Sequence, residues 1–378
     1  MIPLALDEEL EAFRRSIRAQ AEQTIEPLIA DIDRVQRFSP PVWEAVGKLG
    51  VFDLAFPKEA GGQGGSFLAF IVATEEIAAV GATAALYPGT TVQVSATLRQ
   101  HGTPDQIARW LPGLLHPAAP TAWAFTEPQT GSDPKQMTTL AERDGMGWVI
   151  SGQKTFISFG ARASQALVFA KLEDGGLGAF MVDTRSPGWT TGAPIEFLAF
   201  GGIEAVPVYI DRVPVPGDSM IGQPGKGFDI LLSGEAQGKI RVAAICVGVS
   251  QRALEEARRY ALERTHRSQP IGRKFPTVQS LLGDMQASVL AARALVRSAA
   301  AMVDTGAPVD EAGAAARLIA GRCAREVTGA ALQIGGAYGL TRELPLERLY
   351  REGKFFEVAQ GVAEIQRVVV AKHVLGPG

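Results

Sequence analysis

The chain has 378 residues, of which 46% are hydrophobic, 20% charged and 7% aromatic. That is more chain than one hydrophobic core usually organises and too apolar a composition for disorder, so two or three subdomains are expected. Thirty-seven basic residues against 40 acidic ones leave a net charge of −3, without the long basic runs that mark nucleic-acid binders or proteins held on anionic membranes.

In chain order, the first pattern is helical. Leu10, Phe13, Ile17 and Ala21 recur at intervals of three and four, and "FLAFIVATEEIAAV" and "TVQVSATLRQHG" follow. A helical unit over 1–116 is expected. Within it, "GGQGG" (61–65) has no strand before it and lacks the dinucleotide fingerprint, so it reads as a loop between helices. The N-terminus lacks the basic start and apolar core of a secretory signal, and no stretch approaches the roughly 20 apolar residues of a membrane span. A cytoplasmic protein is expected.

"HPAAP" (116–120) marks a boundary. The β-rich runs "TAWAFT", "GWVISG", "KTFIS", "QALVFAKL", "GAFMVDT" and "VPVYIDRVPV" follow, punctuated by glycine, proline and aspartate at the spacing of a small sandwich or barrel. This unit is assigned to 117–222. Beyond "GQPGKGF" the helical pattern returns, and Val278, Leu281, Leu282, Met285, Val289, Ala292, Val296 and Ala299 form one apolar stripe. A helical bundle over 223–378 completes an α+β chain. Cys246 and Cys323, both in alanine-rich helical stretches, read as buried thiols in a reducing compartment rather than a disulfide or metal site.

Five segments then narrow the reading. "WAFTEPQTGSD" (123–133) and "GQKTFIS" (152–158) closely resemble the two flavin-binding segments of the acyl-CoA dehydrogenase family. "YALERTHRSQPIG", "LQIGGAYGL" and "VAQGVAEIQR" follow in the family's order. Gln333 and Gln360 stand 27 positions apart, the interval that separates the family's adenine-contacting glutamine from its catalytic glutamate. The resemblance covers essentially the whole chain and implies an N-terminal helical domain, a central β-sandwich or barrel and a C-terminal four-helix bundle.

It also implies a reaction, the 2,3-desaturation of an acyl thioester carried by CoA or by an acyl carrier protein, with FAD as cofactor and an electron-transfer flavoprotein as acceptor. By that resemblance Thr126 and the backbone around Phe125 bond the pyrimidine end of the flavin, and Ser158 reaches N5. Phe156 either packs flat on the ring or is an ordinary core strand residue. Gly131 and Ser132 approach the pyrophosphate. Arg264, Gln333 and Gly336 correspond to residues that hold the adenosine half from a neighbouring subunit, which implies a homotetramer or heterotetramer. The family's Arg-x-x-Phe-Gly pattern here reads Arg264, Thr265, His266, Arg267, Ser268, so the stacking phenylalanine is lost. Arg267 is left either to stack or pair with phosphate, or to stand as an exposed arginine.

The base is the main departure. The family places a glutamate before a glycine where this chain has Gln360 and Gly361, and an amide cannot take an α-proton near neutral pH. Some members carry the glutamate on the first helix of the bundle, but Gly238 stands there. Glu235 and Glu357 each lie three residues from one of those positions, about 4.5 Å along a helix, a large displacement for proton transfer. Glu364 falls on the family's ordinary Glu-Ile-Gln. Three functions follow: a dehydrogenase whose base is displaced, supplied differently or replaced by glutamine; a base-less subunit paired with an active paralogue; or a flavin monooxygenase of the same fold.

Overall fold

The structure, a computed structural model, describes residues 6–376. Seven helices open it: α1 (Glu8–Thr24), α2 (Glu26–Val35), α3 (Pro40–Lys48), α4 (Phe67–Val80), α5 (Ala82–Leu86), α6 (Gly89–His101) and α7 (Pro104–Leu115). Their starts are encoded locally. Asp7 accepts from the Leu10 N–H to cap α1, and Thr103 with Gln106 forms a reciprocal capping box on α7. The "GGQGG" stretch is the expected loop, entered by Gly61 in the left-handed region (φ 86°). Helix α4 is buried all round from Phe70 to Val80, and its two acids, Glu75 and Glu76, are buried against arginines of the C-terminal bundle and of α1.

The middle unit comprises β1 (Thr121–Ala124), β2 (Leu140–Asp144), β3 (Gly147–Ile157), β4 (Gln165–Leu172), β5 (Leu177–Asp183), β6 (Trp189–Thr191), β7 (Val206–Val215) and β8 (Met220–Ile221). The expected sandwich or barrel is realised as one continuous mixed sheet in the order β6-β7-β3-β2-β4-β5-β8. Strand β1 joins it beside β4. Both β1 and β2 run parallel to β4, on successive stretches of it, and the other pairs are antiparallel. The sheet encloses a core of its own that includes Ala122, Ile150, Val168, Phe180, Val206 and Val213.

Helix α8 (Gly227–Glu263) begins the bundle. A hairpin of β9 (Thr265–His266) and β10 (Gln269–Pro270) follows, then α9 (Ile271–Lys274), α10 (Pro276–Asp304), α11 (Asp310–Gly339), α12 (Leu346–Val358) and α13 (Ala363–Leu375). The predicted stripe on α10 is real: Met285, Val289, Ala292, Val296 and Ala299 are buried within the subunit. Cys246 and Cys323 are buried free thiols. Ion pairs tie the N-terminal helices to the bundle, Arg293 to Glu75 at 2.6 Å, Arg18 to Glu255 at 2.6 Å and Arg351 to Asp33 at 2.8 Å. Among the described residues no helix is long and apolar enough to cross a membrane.

Candidate functional site

The two segments that suggest flavin binding lie side by side. The Thr155 N–H donates to the Thr126 carbonyl at 2.9 Å, joining the end of β3 to the loop after β1. Beneath them Lys154 is wholly buried, its Nζ 2.9 Å from Glu127 Oε1 and 3.2 Å from the Phe125 carbonyl. Glu127 also accepts from the Thr138 N–H at 2.7 Å and the Thr139 N–H at 2.9 Å. Burial opposes ionisation of Glu127, but the Lys154 charge and the threonine hydrogen bonds outweigh it and hold the carboxyl at about 2. Burial pulls Lys154 down to about 8, against the pull of Glu127. The pair remains charged at neutral pH, and its bonds fix the backbone of Phe125–Glu127.

Strand β3 is irregular between Lys154 and Ile157, and Phe156 takes a left-handed φ of 57°. That bulge turns its ring out of the sheet: Phe156 is 55% exposed, which removes the core-strand alternative. Its ring stacks on Phe197 (centroids 6.1 Å apart, planes at 28°). Thr126 and Ser158 are half-buried beside these segments, and Gly131 and Ser132 lie exposed in the loop.

Phe197 in turn meets Phe355 of α12 edge-on at 5.6 Å, which leads to the loop after α12. There Gln360 (φ 54°) and Gly361 (φ 87°) are both left-handed, and Gln360 is exposed. The buried Arg317 guanidinium on α11 donates to the carbonyls of Phe356 and, at 2.7 Å, Ala359, so the last turn of α12 is capped by a fixed cation. The neighbouring acids are engaged elsewhere. Glu357 pairs with Lys354 and Arg325, and the hydrogen bond from Lys354 lowers its pKa. Glu364 is exposed and pairs with Arg367 at 3.0 Å.

A cavity of about 20 Å³ lies between α4, α6 and α8, little more than the roughly 10–15 Å³ one water needs. From α8 it is lined by Gly234, Gln237, Gly238 and Arg241, at intervals of three and four, and from α6 by Gln93, Ala96 and Thr97. Gly238 faces Gln93: a Cβ there would stand 3.6 Å from the Gln93 Oε1. Glu235 falls off that stripe, and its Oε1 accepts from the Gln93 Nε2 at 3.2 Å. Burial pushes the Glu235 carboxyl upward. Sequence reading missed Gln93 and Arg241. The available signal was Arg241 inside "IRVAAICVG", an otherwise apolar stretch.

The remaining expected residues lie at the other end of the bundle. Helices α8 and α11 run parallel. Gly313 sits against Ala236 and Ile240, and Cys323 Sγ lies 3.6 Å from Ser250 Oγ. The same register carries Gln333 and Gly336 to the last turn of α8, next to Arg264. All three are exposed. Gly336 holds φ 57°, ψ −139°, a conformation open in practice only to glycine. Arg267 and Ser268, at φ 50° and 66°, form the exposed two-residue turn of the β9–β10 hairpin. By contrast, Trp123 of β1 packs over Gly234, where a Cβ would stand 2.5 Å from its ring. Thirty residues of α8, about 45 Å, therefore separate the two groups.

Models of the N-terminal, middle and C-terminal domains of acyl-CoA dehydrogenases match residues 7–117, 122–213 and 225–375. The chain is 32% identical over 374 residues to the short-chain specific acyl-CoA dehydrogenase of Clostridium acetobutylicum, covering 98% of each. It is 34% identical over 375 residues to the probable acyl-CoA dehydrogenase FadE25 of Mycobacterium tuberculosis, covering 98% of this chain and 96% of that one. The solved structure of the electron transferring flavoprotein of Acidaminococcus fermentans contains a chain that superposes with a TM-score of 0.96 at 29% identity, covering 100% of both.

Proposed function

The chain belongs to the acyl-CoA dehydrogenase family of FAD-dependent oxidoreductases, and from that premise we propose that it binds FAD and an acyl thioester of CoA or of an acyl carrier protein. The observation that carries this is the junction of the two flavin-type segments, with the outward-turned Phe156 ring beside Thr126 and Ser158. An exposed aromatic face flanked by the Thr126 and Ser158 hydroxyls suits a planar heterocycle rimmed with donors and acceptors.

In this reading Phe125 and Thr126 hold the pyrimidine edge, Ser158 the N5 side, and Gly131 and Ser132 the pyrophosphate. Bound FAD supplies a hydride acceptor for the thioester's β-carbon. The Gln360 N–H remains available to polarise a thioester carbonyl, while its amide side chain can orient substrate but cannot take the α-proton. Arg264, Gln333 and Gly336 stand about 45 Å from the flavin-type segments, too far to serve the same cofactor within one subunit. We assign them to the adenosine of a second copy's FAD, in a homotetramer or heterotetramer. The Acidaminococcus structure favours an electron-transfer flavoprotein as acceptor.

One observation supports a second reading, a base-less subunit partnered with an active paralogue. Neither Gln360 nor Gly238 is an acid, and Glu235, Glu357 and Glu364 all have partners elsewhere. Anaerobic titration of the purified holoprotein with butyryl-CoA, following flavin bleaching, separates the readings. Slow bleaching that becomes fast in Gln360→Glu identifies a dehydrogenase frame without its base. Rapid stoichiometric bleaching of the unaltered protein sinks the base-less reading and also removes any need for oxygen, which disposes of a monooxygenase. Equal slow bleaching in both sinks the missing-base explanation.

A further inference from the structure

Arg241 is a buried cation that has no hydrogen-bond partner among the described residues. It is 3% exposed, it lines the cavity between α4, α6 and α8, and no hydrogen bond to its guanidinium is present among the described residues. Its Nη1 is completely enclosed and unpaired. Such a group costs several kcal/mol to bury unless something supplies an acceptor. Burial lowers its pKa only to about 10, and the Glu235 charge opposes even that, so the cation persists at neutral pH.

Room has been made for it. Gly89 opens α6, and a Cβ there would stand 2.4 Å from Arg241 Nη1 and 2.5 Å from its Cζ. Any other residue would displace the guanidinium. Next to Gly89, the buried Thr90 Oγ1 is also without a partner, and the first N–H groups of α6 lack a side-chain cap. Around the cavity Gln93, Thr97, Gln100, Ser233 and Gln237 present polar side chains, an expensive lining for a saturated hydrocarbon tail. The nearby Glu235 carboxylate lies off the cavity stripe and is held by Gln93, so it leaves the guanidinium unblocked.

We propose that an acyl group ending in a carboxylate places only that end in this cavity, in the space of about one water, and that Arg241 is the specificity-determining residue that receives it. The inference rests on the acyl-thioester reading above and adds the substrate class. Arg241 is one helical turn, about 4.5 Å along α8, from Gly238, where some members of the family carry the base, so the chain between thioester and carboxylate is short. A guanidinium and a carboxylate match as a paired donor and acceptor set.

The test compares two five-carbon thioesters, glutaryl-CoA and pentanoyl-CoA, by calorimetric titration of the holoprotein and of Arg241→Met and Arg241→Lys. Glutaryl-CoA is expected to bind the unaltered protein roughly tenfold to a hundredfold more tightly, the range of one charge-assisted hydrogen-bonded contact. Arg241→Met should abolish or reverse that preference, with Arg241→Lys keeping part of it. A preference for pentanoyl-CoA, or an unchanged ratio in Arg241→Met, overturns the proposal. Free glutarate and pentanoate, followed by thermal shift, separate this from the wider reading. If neither thioester binds, the thioester reading fails, and glutarate stabilising only the arginine-bearing protein still upholds the charge site. Glutarate without effect in that case overturns it. Should Arg241→Met fold poorly, the lysine variant's ratio decides.

Discussion

The proposed site has two walls, and each buries a cation in a different way. On the sheet side, Lys154 is fully enclosed and bonded to Glu127 and the Phe125 carbonyl. On the helix side, Arg241 is nearly as deep and, among the described residues, has no hydrogen-bond partner. The first arrangement is finished before any ligand arrives, because its charge fixes the backbone of the flavin-type segments. The second is incomplete alone, as expected of a group that waits for a ligand and lowers stability meanwhile. The loop after α12 combines both: Arg317 secures its backbone, yet its central side chain is an amide where the chemistry asks for an acid.

The largest effect expected is at that amide. Restoring the acid in Gln360→Glu should raise the rate of anaerobic flavin reduction by about 10²- to 10⁴-fold, the usual value of a positioned general base. Stopped-flow absorbance measures it. A change smaller than a few-fold would mean that the loop does not face the substrate, and the likeness between the preorganised sheet wall and this loop would fail with it.

Next are the two cations. Lys154→Met leaves Glu127 buried without its charge partner and should cost about 3–5 kcal/mol. Arg241→Met removes a charge that has no hydrogen bond to lose, so stability should stay within about 1 kcal/mol or rise. Urea denaturation followed by circular dichroism measures both. Equal losses would erase the distinction between a finished and a waiting wall.

Much of this was legible in the sequence, and for a physical reason. Helix spacing, caps and the five ordered segments are local signals, so the helical units, the β unit and the position of Gln360 could be read before any coordinates. What escaped depends on distant pairing. Lys154 and Glu127 are 27 residues apart and form a pair only once β1 and β3 share a sheet. Phe156 sits in a stretch that reads as strand, and only the bulge reverses its direction. The cavity needs Gly89 and Gln93 from α6 opposite Gly238 and Arg241 from α8, and nothing in one sequence reports which helix faces meet.

Phe156 offers a smaller test of the sheet wall. Removing the exposed ring in Phe156→Ala should weaken FAD retention by about 1 kcal/mol, close to fivefold, if the ring contributes one aromatic contact. Fluorescence of released flavin during dialysis measures it. Loss of folding stability without loss of flavin would instead make the Phe156–Phe197 stack a purely structural join between the sheet and α12.

The smallest effect concerns acid. Glu127 sits at about 2 in the folded protein against an ordinary value of 4.5. Between those values the unfolded chain binds more protons than the folded one, so the stabilisation is complete above about pH 4.5 and is lost as pH falls toward 2. From pH 5 to pH 4 this single group should account for about 0.7 kcal/mol of lost stability. Other carboxylates titrate in the same window, so the measurable quantity is a difference in slope. Urea midpoints of the unaltered protein and of a Glu127→Gln, Lys154→Met double variant, which leaves neither charge stranded, should diverge by that amount as pH drops. Parallel slopes would show that the pair does not hold Glu127 ionised, and the sheet wall would then owe its order to the threonine hydrogen bonds and not to the buried cation.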